Sequence, residues 1–532
     1  MNAFSWTIIL TLIVFGVVGL CMGRKIRNGD SFYIMEEKAP TVFLVCGICM
    51  SYISAVTMSS GPRICYENGP FFLLVTAQTW AWMGMLVAVL VIGRKMKAIG
   101  CKTMPDYFSK RFADNNVICL ALLVMVVGME IYGISQLVTI GDLLSEATGM
   151  SYGAVILIMT IALMFFCVPG GTWGIMMTDT IMFLVVLVTA VVVCPVVILH
   201  VAPEAVQALP EKFLSVSGVS QHPLYYNVVQ SLLWFAFFAS SPVIITRVFP
   251  AKNDFSVLKA ASISVALLAI IAFMIYLTAG LMRGVEPNLP EKDQVMFLAF
   301  STQAPPLLGL IGVAGILTAA ISTSSVLFCL AGFSLSRDLY ALLNPHRKEE
   351  SGSVRRARIA QAMTVALGGG IAYLRIGESY DLSIFSCGIF AASWLPVILM
   401  SLLWKRFNSA AAFYGMASGA LVLTVLHILI YVGKLTLPEM AQYVIAILVC
   451  IVVSVVLSLS MPANPENARR YFQIRSAKLS DLVIREARIS SASLPCLLKS
   501  YRQTRRVMVI VVISSAVILL SLCILFFQFL IP

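Results

Sequence analysis

Apolar residues along this chain gather into runs of about twenty, the length an α-helix needs to cross bilayer hydrocarbon, divided by short segments that hold most of the charge. The pattern predicts fourteen spans, numbered in chain order: 5–23, 40–62, 71–93, 117–143, 151–168, 173–201, 224–248, 259–282, 307–335, 357–374, 382–404, 409–432, 438–461 and 507–531. Two of them are interrupted. Span two contains Ser51-Tyr52-Ile53-Ser54-Ala55-Val56-Thr57-Met58-Ser59-Ser60-Gly61-Pro62, and span seven carries Ala239-Ser240-Ser241-Pro242, five spans later. A proline kink in an ordinary helix accounts for either one alone. The pair, at corresponding places in two five-helix halves, points to an inverted-repeat secondary transporter with its site at the midplane, where freed backbone groups need partners.

Composition places the class beyond argument. The chain is 60% hydrophobic and 12% charged, against about 25% charged in a soluble globule, so it is a polytopic membrane protein. With the N-terminus outside, 31 of the 37 Lys and Arg residues fall in inner segments and 6 in outer ones. Both termini are therefore predicted to be extracytoplasmic, in a plasma or bacterial inner membrane. The net charge of +12 reads as this topology signal plus attraction to anionic lipid, and nucleic acid is not needed to explain it. Span one is followed by Arg24-Lys25 and lacks a small-residue cleavage site, so it is expected to be retained.

Several chemistries lose their signatures. The thirteen cysteines sit mostly inside spans, and Cys46-Gly47-Ile48-Cys49 has no soluble redox context. The histidines His200, His222, His346 and His427 show no metal-ligand spacing. No P-loop, nucleophile elbow or HExxH motif appears, so neither ATP-driven transport nor an enzyme is expected. No selectivity-filter loop marks a channel.

The candidate chemistry lies in span nine, in the run Gly315-Ile316-Leu317-Thr318-Ala319-Ala320-Ile321-Ser322-Thr323-Ser324-Ser325. A dehydrated Na⁺ needs about five oxygens, which carbonyls and a few hydroxyls supply cheaply inside hydrocarbon. Ser322 and Thr323 offer two hydroxyls on one turn. Taken alone, such residues also bond back to their own helix or let helices pack closely. Two carboxylates fall within spans. Asp179 either holds a sodium ion in transit or bonds a neighbouring helix. Glu130 contacts a solute, carries a proton, or pairs with a polar neighbour. Because both titrate, proton coupling is the nearest rival to sodium. No buried arginine is expected to await the carboxylate of a solute, since Arg63 and Arg247 lie near helix ends.

Over residues 1–465 the chain resembles the sodium:solute symporter family. The resemblance is carried by Thr103-Met104-Pro105-Asp106-Tyr107-Phe108-Ser109-Lys110-Arg111-Phe112, by Gly170-Gly171 with Thr178-Asp179, and by Trp234 to Phe238 with Pro242 to Arg247. Pro396-Val397-Ile398, Trp404-Lys405-Arg406, Tyr414-Gly415-Met416 and Gly419 add to it, as do the span-nine serines and Asp338-Leu339-Tyr340. The resemblance implies an all-α, leucine-transporter-like five-plus-five inverted repeat and Na⁺-coupled symport of a small organic solute by alternating access. It implies a sodium site of the Met50, Ile53 and Ala319 carbonyls with the Ser322 and Thr323 hydroxyls. Some members add a second sodium at positions matching Asp179, Ser322 and Ser325, but Val326 stands where their further serine would be. The implied substrate cavity uses Tyr52, Thr57, Gln78, Tyr132, Gln136, Trp234, Phe238 and Trp394. Tyr52 and Thr57 replace the Asn and Gln of the sugar carriers, and Tyr52 and Phe238 replace the Asp and Tyr of the proline carriers. An organic acid or vitamin-like solute is the remaining expectation.

The organisation expected is an extra helix and first inner loop at 1–39, the transport core at 40–404, two peripheral helices at 405–461, a basic inner linker at 462–505 and a last span at 506–532. The linker either forms an amphipathic helix on anionic lipid, with Ile474, Leu479, Leu482 and Ile484 on its apolar side, or stays solvated.

Overall fold

The computed structural model describes residues 3–24, 26, 28–215, 218–219, 224–344, 352–461, 465–477 and 506; span fourteen and the linker beyond residue 477 lie outside the described residues. All regular elements among the described residues are helical. Among the described residues ten helices are long and apolar enough to cross a membrane, and the bent pair Thr41–Tyr52 and Ala55–Asn68 makes an eleventh. Span fourteen lies outside the described residues, and span five is the first limb of the helix Tyr152–Val188, which turns at Gly171. Span ten forms the helix Ser353–Tyr373, but Arg355, Arg356 and Arg358 in its first turns lower its hydropathy.

The architecture is the five-plus-five inverted repeat, spans two to six and seven to eleven. Each half opens on a helix broken by extended residues, Ile53 and Ser54 in span two and Ser241 in span seven, with ψ 114° at both Ile53 and Ser241. Span two turns by 70° there. The long helix Tyr152–Val188 is turned at Gly171, between spans five and six, where a φ of +49° and the close approach of Phe32 leave no conformation or room for a side chain. This is what the Gly170-Gly171 pair does. Span one packs outside the core against spans five and six, turning Trp6, Leu10, Ile13 and Val17 outward. Spans twelve and thirteen pack on each other and on span eleven.

Span nine, Pro306–Leu343, is the central post of the fold. Its most apolar stretch is 94% buried inside the protein, so a polar group on it must be answered by protein. Two of the sequence motifs meet at one end of it. Thr103 caps the helix Met104–Phe112 and its hydroxyl donates to Asp338 Oδ1 at 2.8 Å, while Arg337 reaches Asp106 at 3.3 Å. The buried Arg111 donates to the carbonyls of Ser401, Phe407 and Asn467 at 3.0–3.2 Å. That last bond holds the helix Pro465–Ser476 against the protein, and Ile474 is buried in this contact rather than turned to lipid.

Candidate functional site

The break in span two is made by local chemistry. Ser54 and Thr57 form a capping box, in which the Ser54 amide donates to Thr57 Oγ1 at 2.6 Å and the Ser54 side chain accepts from the Thr57 amide. In an unbroken helix those two amides would bond the carbonyls of Met50 and Ile53. The capping box therefore releases the two span-two carbonyls implied as sodium ligands. Gln136 of span four supports the restart, its Oε1 accepting from the Ala55 amide at 2.9 Å.

Span nine answers across the break. Thr323 Oγ1 lies 3.1 Å from the Ile53 carbonyl oxygen and 3.2 Å from that of Ala319. Oxygens held ~2.4 Å from one cation at right angles stand ~3.4 Å apart, so this spacing suits a shared ion. Ser322, wholly buried, donates to Asp179 Oδ1 at 2.6 Å, which leaves its lone pairs free to face a cation. Ser324, one position on, bonds the Ala320 carbonyl of its own helix at 2.8 Å.

The structure corrects one expectation beside this cluster. Arg247 is buried, and its Nη2 meets Asp179 Oδ2 at 2.6 Å while Nε donates to Ser51 Oγ at 2.8 Å. Its position after the five-residue helix Pro242–Thr246 hid this, because a helix interrupted so near its end carries the side chain back into the interior. Gly47 packs beside it, a Cβ there lying 3.2 Å from Met176 Sδ and 3.4 Å from Arg247 Cδ. The guanidinium thus takes up the Asp179 charge that a second sodium would need. Ser325 turns away as well, donating to the Ser322 carbonyl at 2.6 Å. One buried pair, Arg247 with Asp179, ties both broken spans to span six and to Ser322.

The cavity on the far side of the break is lined by Tyr52, Thr57, Gln78, Tyr132, Trp234 and Phe238 of the implied set. Phe238 lies between Tyr52 and Trp234, with ring centroids 4.9 and 5.9 Å away. The structure does not bring in the other two. Trp394 is buried between Phe108 and Phe390, and Gln136 serves the helix break. Tyr276, Tyr380, Ser383 and Cys387 are lining residues that sequence reasoning missed, because no local pattern marks which face of an all-apolar helix turns inward. No charged side chain lines the cavity, and its space for water is about 40 Å³, a few molecules at most. Above it lies a polar vestibule of about 430 Å³ that shares Tyr380 with the cavity. Arg63 sits 6.0 Å over the Tyr380 ring and pairs with Asp293 at 3.0 Å, roofing the cavity. Glu130 lines neither space.

These features agree with the comparisons to known proteins. The model of the sodium:solute symporter family matches residues 32–419. The sodium/pantothenate symporter of Escherichia coli (strain K12) is 24% identical over 434 residues, which are 78% of this chain and 88% of the relative. A sodium/proline symporter of Staphylococcus aureus is 25% identical over 346 residues, 61% of this chain and 65% of the relative. Among solved structures, the substrate-bound outward-open state of a Na⁺-coupled sialic acid symporter superimposes with a TM-score of 0.74 at 15% identity, covering 87% of this chain and 99% of that one.

Proposed function

The chain belongs to the sodium:solute symporter family, and from that premise we propose that it carries a small organic solute across the membrane together with Na⁺, by alternating access around the two broken spans. The observation that supports the ion site most is the capping box that frees the Met50 and Ile53 carbonyls opposite the Thr323 hydroxyl. The proposed ligands are those two carbonyls, the Ala319 carbonyl and the Ser322 and Thr323 hydroxyls. With Arg247 on Asp179, we assign one sodium per cycle. The activity is movement of the solute, with no covalent change.

The proposed solute site comprises Tyr52, Thr57, Gln78, Tyr132, Trp234 and Phe238. An organic acid or vitamin-like monoanion fits a charge-free lining because Na⁺ at the break, next to Tyr52, supplies its counter-charge and makes the pair neutral. A neutral pair enters a low-dielectric cavity at far smaller cost than either ion alone. The test is thermal shift of purified protein against a metabolite panel. A solute that stabilises only when Na⁺ is present is the expected result, and stabilisation equal in choline would sink the coupling.

We further propose that both termini are extracytoplasmic, which sets the vestibule on the outside and the Thr103–Asp338 contact inside, in a plasma or bacterial inner membrane. The distribution of basic residues supports this orientation. Alkaline phosphatase fused after Pro532 should be active and the same fusion at Ser480 inactive; the reverse would overturn the orientation.

A further inference from the structure

Glu130 lies near the middle of span four, Asn115–Thr148, with 6% of its surface exposed. Neither carboxyl oxygen meets a hydrogen-bond partner among the described residues. Its surroundings are apolar. Gly368 of span ten faces it so closely that a Cβ there would come within 3.2 Å of Oε2, and the Phe328 ring of span nine fills the adjoining space against Gly133 and Gly368. An ionised carboxyl without a counter-charge is among the costliest groups a membrane interior can hold, so something must answer it.

Three occupants can be weighed. Sodium needs about five oxygens, and phenyl rings and glycine faces offer none. The solute does not reach it, because Tyr132, which lines the cavity, is two residues on, and two steps of 100° set Glu130 on the other side of the helix. A basic side chain is not at hand either. The elements packed on span four, which are spans one, two, five, six, nine, ten, eleven and twelve and the helix Met104–Phe112, bring no charged or titratable group to bear on it among the described residues. A proton alone removes the charge within the space that exists.

We propose that Glu130 is a proton-binding site, so that the conformation described here holds H⁺ on this carboxyl and the carrier answers to protons as well as to Na⁺. The step is simple in balance: the carboxylate takes one H⁺ from water and becomes the neutral acid. Because this same conformation assembles the sodium site, the two ligands are linked. The neutral form belongs to this state, so its stability is present at low pH and is lost as the pH rises and the proton leaves. Sodium binding should therefore weaken on the alkaline side.

The experiment uses the full chain in detergent, with ²²Na⁺ binding and the thermal midpoint followed from pH 5.5 to 8.5. Wild type is expected to need about tenfold more Na⁺ for half-saturation across the range, with a falling midpoint. Glu130→Gln keeps the shape and neutrality of the protonated acid and should hold the acid-side values throughout. Glu130→Leu keeps the site neutral without polar atoms and gives the same reading should the glutamine variant not fold. A wild-type profile that neutral substitutions leave unchanged, or a wild-type profile that is flat, would overturn the proposal. The variants share every histidine and cysteine with wild type, so the difference isolates Glu130.

Discussion

Sodium affinity should fall five- to a hundred-fold in Thr323→Ala, and by a similar factor in Ser322→Ala. Each substitution removes a hydroxyl from a place that water does not readily refill, because both residues are at most 1% exposed. A lost partner at a buried polar group costs about 1–3 kcal/mol, which converts to that range of affinity. The two residues differ in detail. Thr323 Oγ1 touches the Ile53 and Ala319 carbonyls, so its loss also separates the two helices the ion would bridge. Ser322 donates to Asp179, and its loss leaves that carboxylate with Arg247 alone. Solute affinity should fall alongside, since coupling between two ligands is reciprocal. Ser324→Ala is the control, its hydroxyl being turned to its own helix. Sodium titration of solute binding reads all three, and equal wild-type behaviour would reduce Ser322 and Thr323 to packing residues.

Asp179→Ala should be the most damaging single change in the core. It strands the Arg247 guanidinium, 5% exposed, with Ser51 Oγ and a methionine sulfur as its remaining partners. Removing one member of a buried ion pair costs about 3–5 kcal/mol, whereas replacing both with well-packed apolar groups is often close to neutral. Asp179→Ala is thus expected to lower the yield of folded protein and the thermal midpoint sharply. Combining it with Arg247→Met should restore much of the stability while leaving sodium coupling impaired, because Ser322 then has no acceptor to orient it. If the double variant is no more stable than the single one, the pair is not the unit described here.

How far the sequence reached follows from which features are local. The two breaks were legible because proline and clustered hydroxyl residues act within a turn or two, and the released carbonyls follow from where the capping box sits. The hydroxyls of Ser322 and Thr323 stood out because polar groups are conspicuous in an apolar run. Arg247 points inward to Ser51 and Asp179, partners distant in sequence that no local pattern around a helix end marks. Gln136 and Trp394 were assigned to the cavity for the same reason: rotation about a helix axis decides which side of an apolar helix faces inward, and neighbours distant in sequence set that rotation. Span ten is a helix whose opening arginines lower its hydropathy, so hydropathy alone does not mark it.

The central claim is that sodium entry drives solute uptake. A tenfold inward Na⁺ gradient is worth about 1.4 kcal/mol and a 100 mV potential about 2.3 kcal/mol per charge. Together they support several-hundred-fold accumulation of a neutral solute at one sodium per cycle; for a monoanion the potential term cancels, and the Na⁺ gradient alone allows about tenfold. The direct measurement is uptake of the solute found by thermal shift into proteoliposomes holding the full chain, with Na⁺ or choline outside. Concentrative uptake that collapses when choline replaces Na⁺ at fixed pH is the predicted result, and uptake indifferent to the sodium gradient would contradict it.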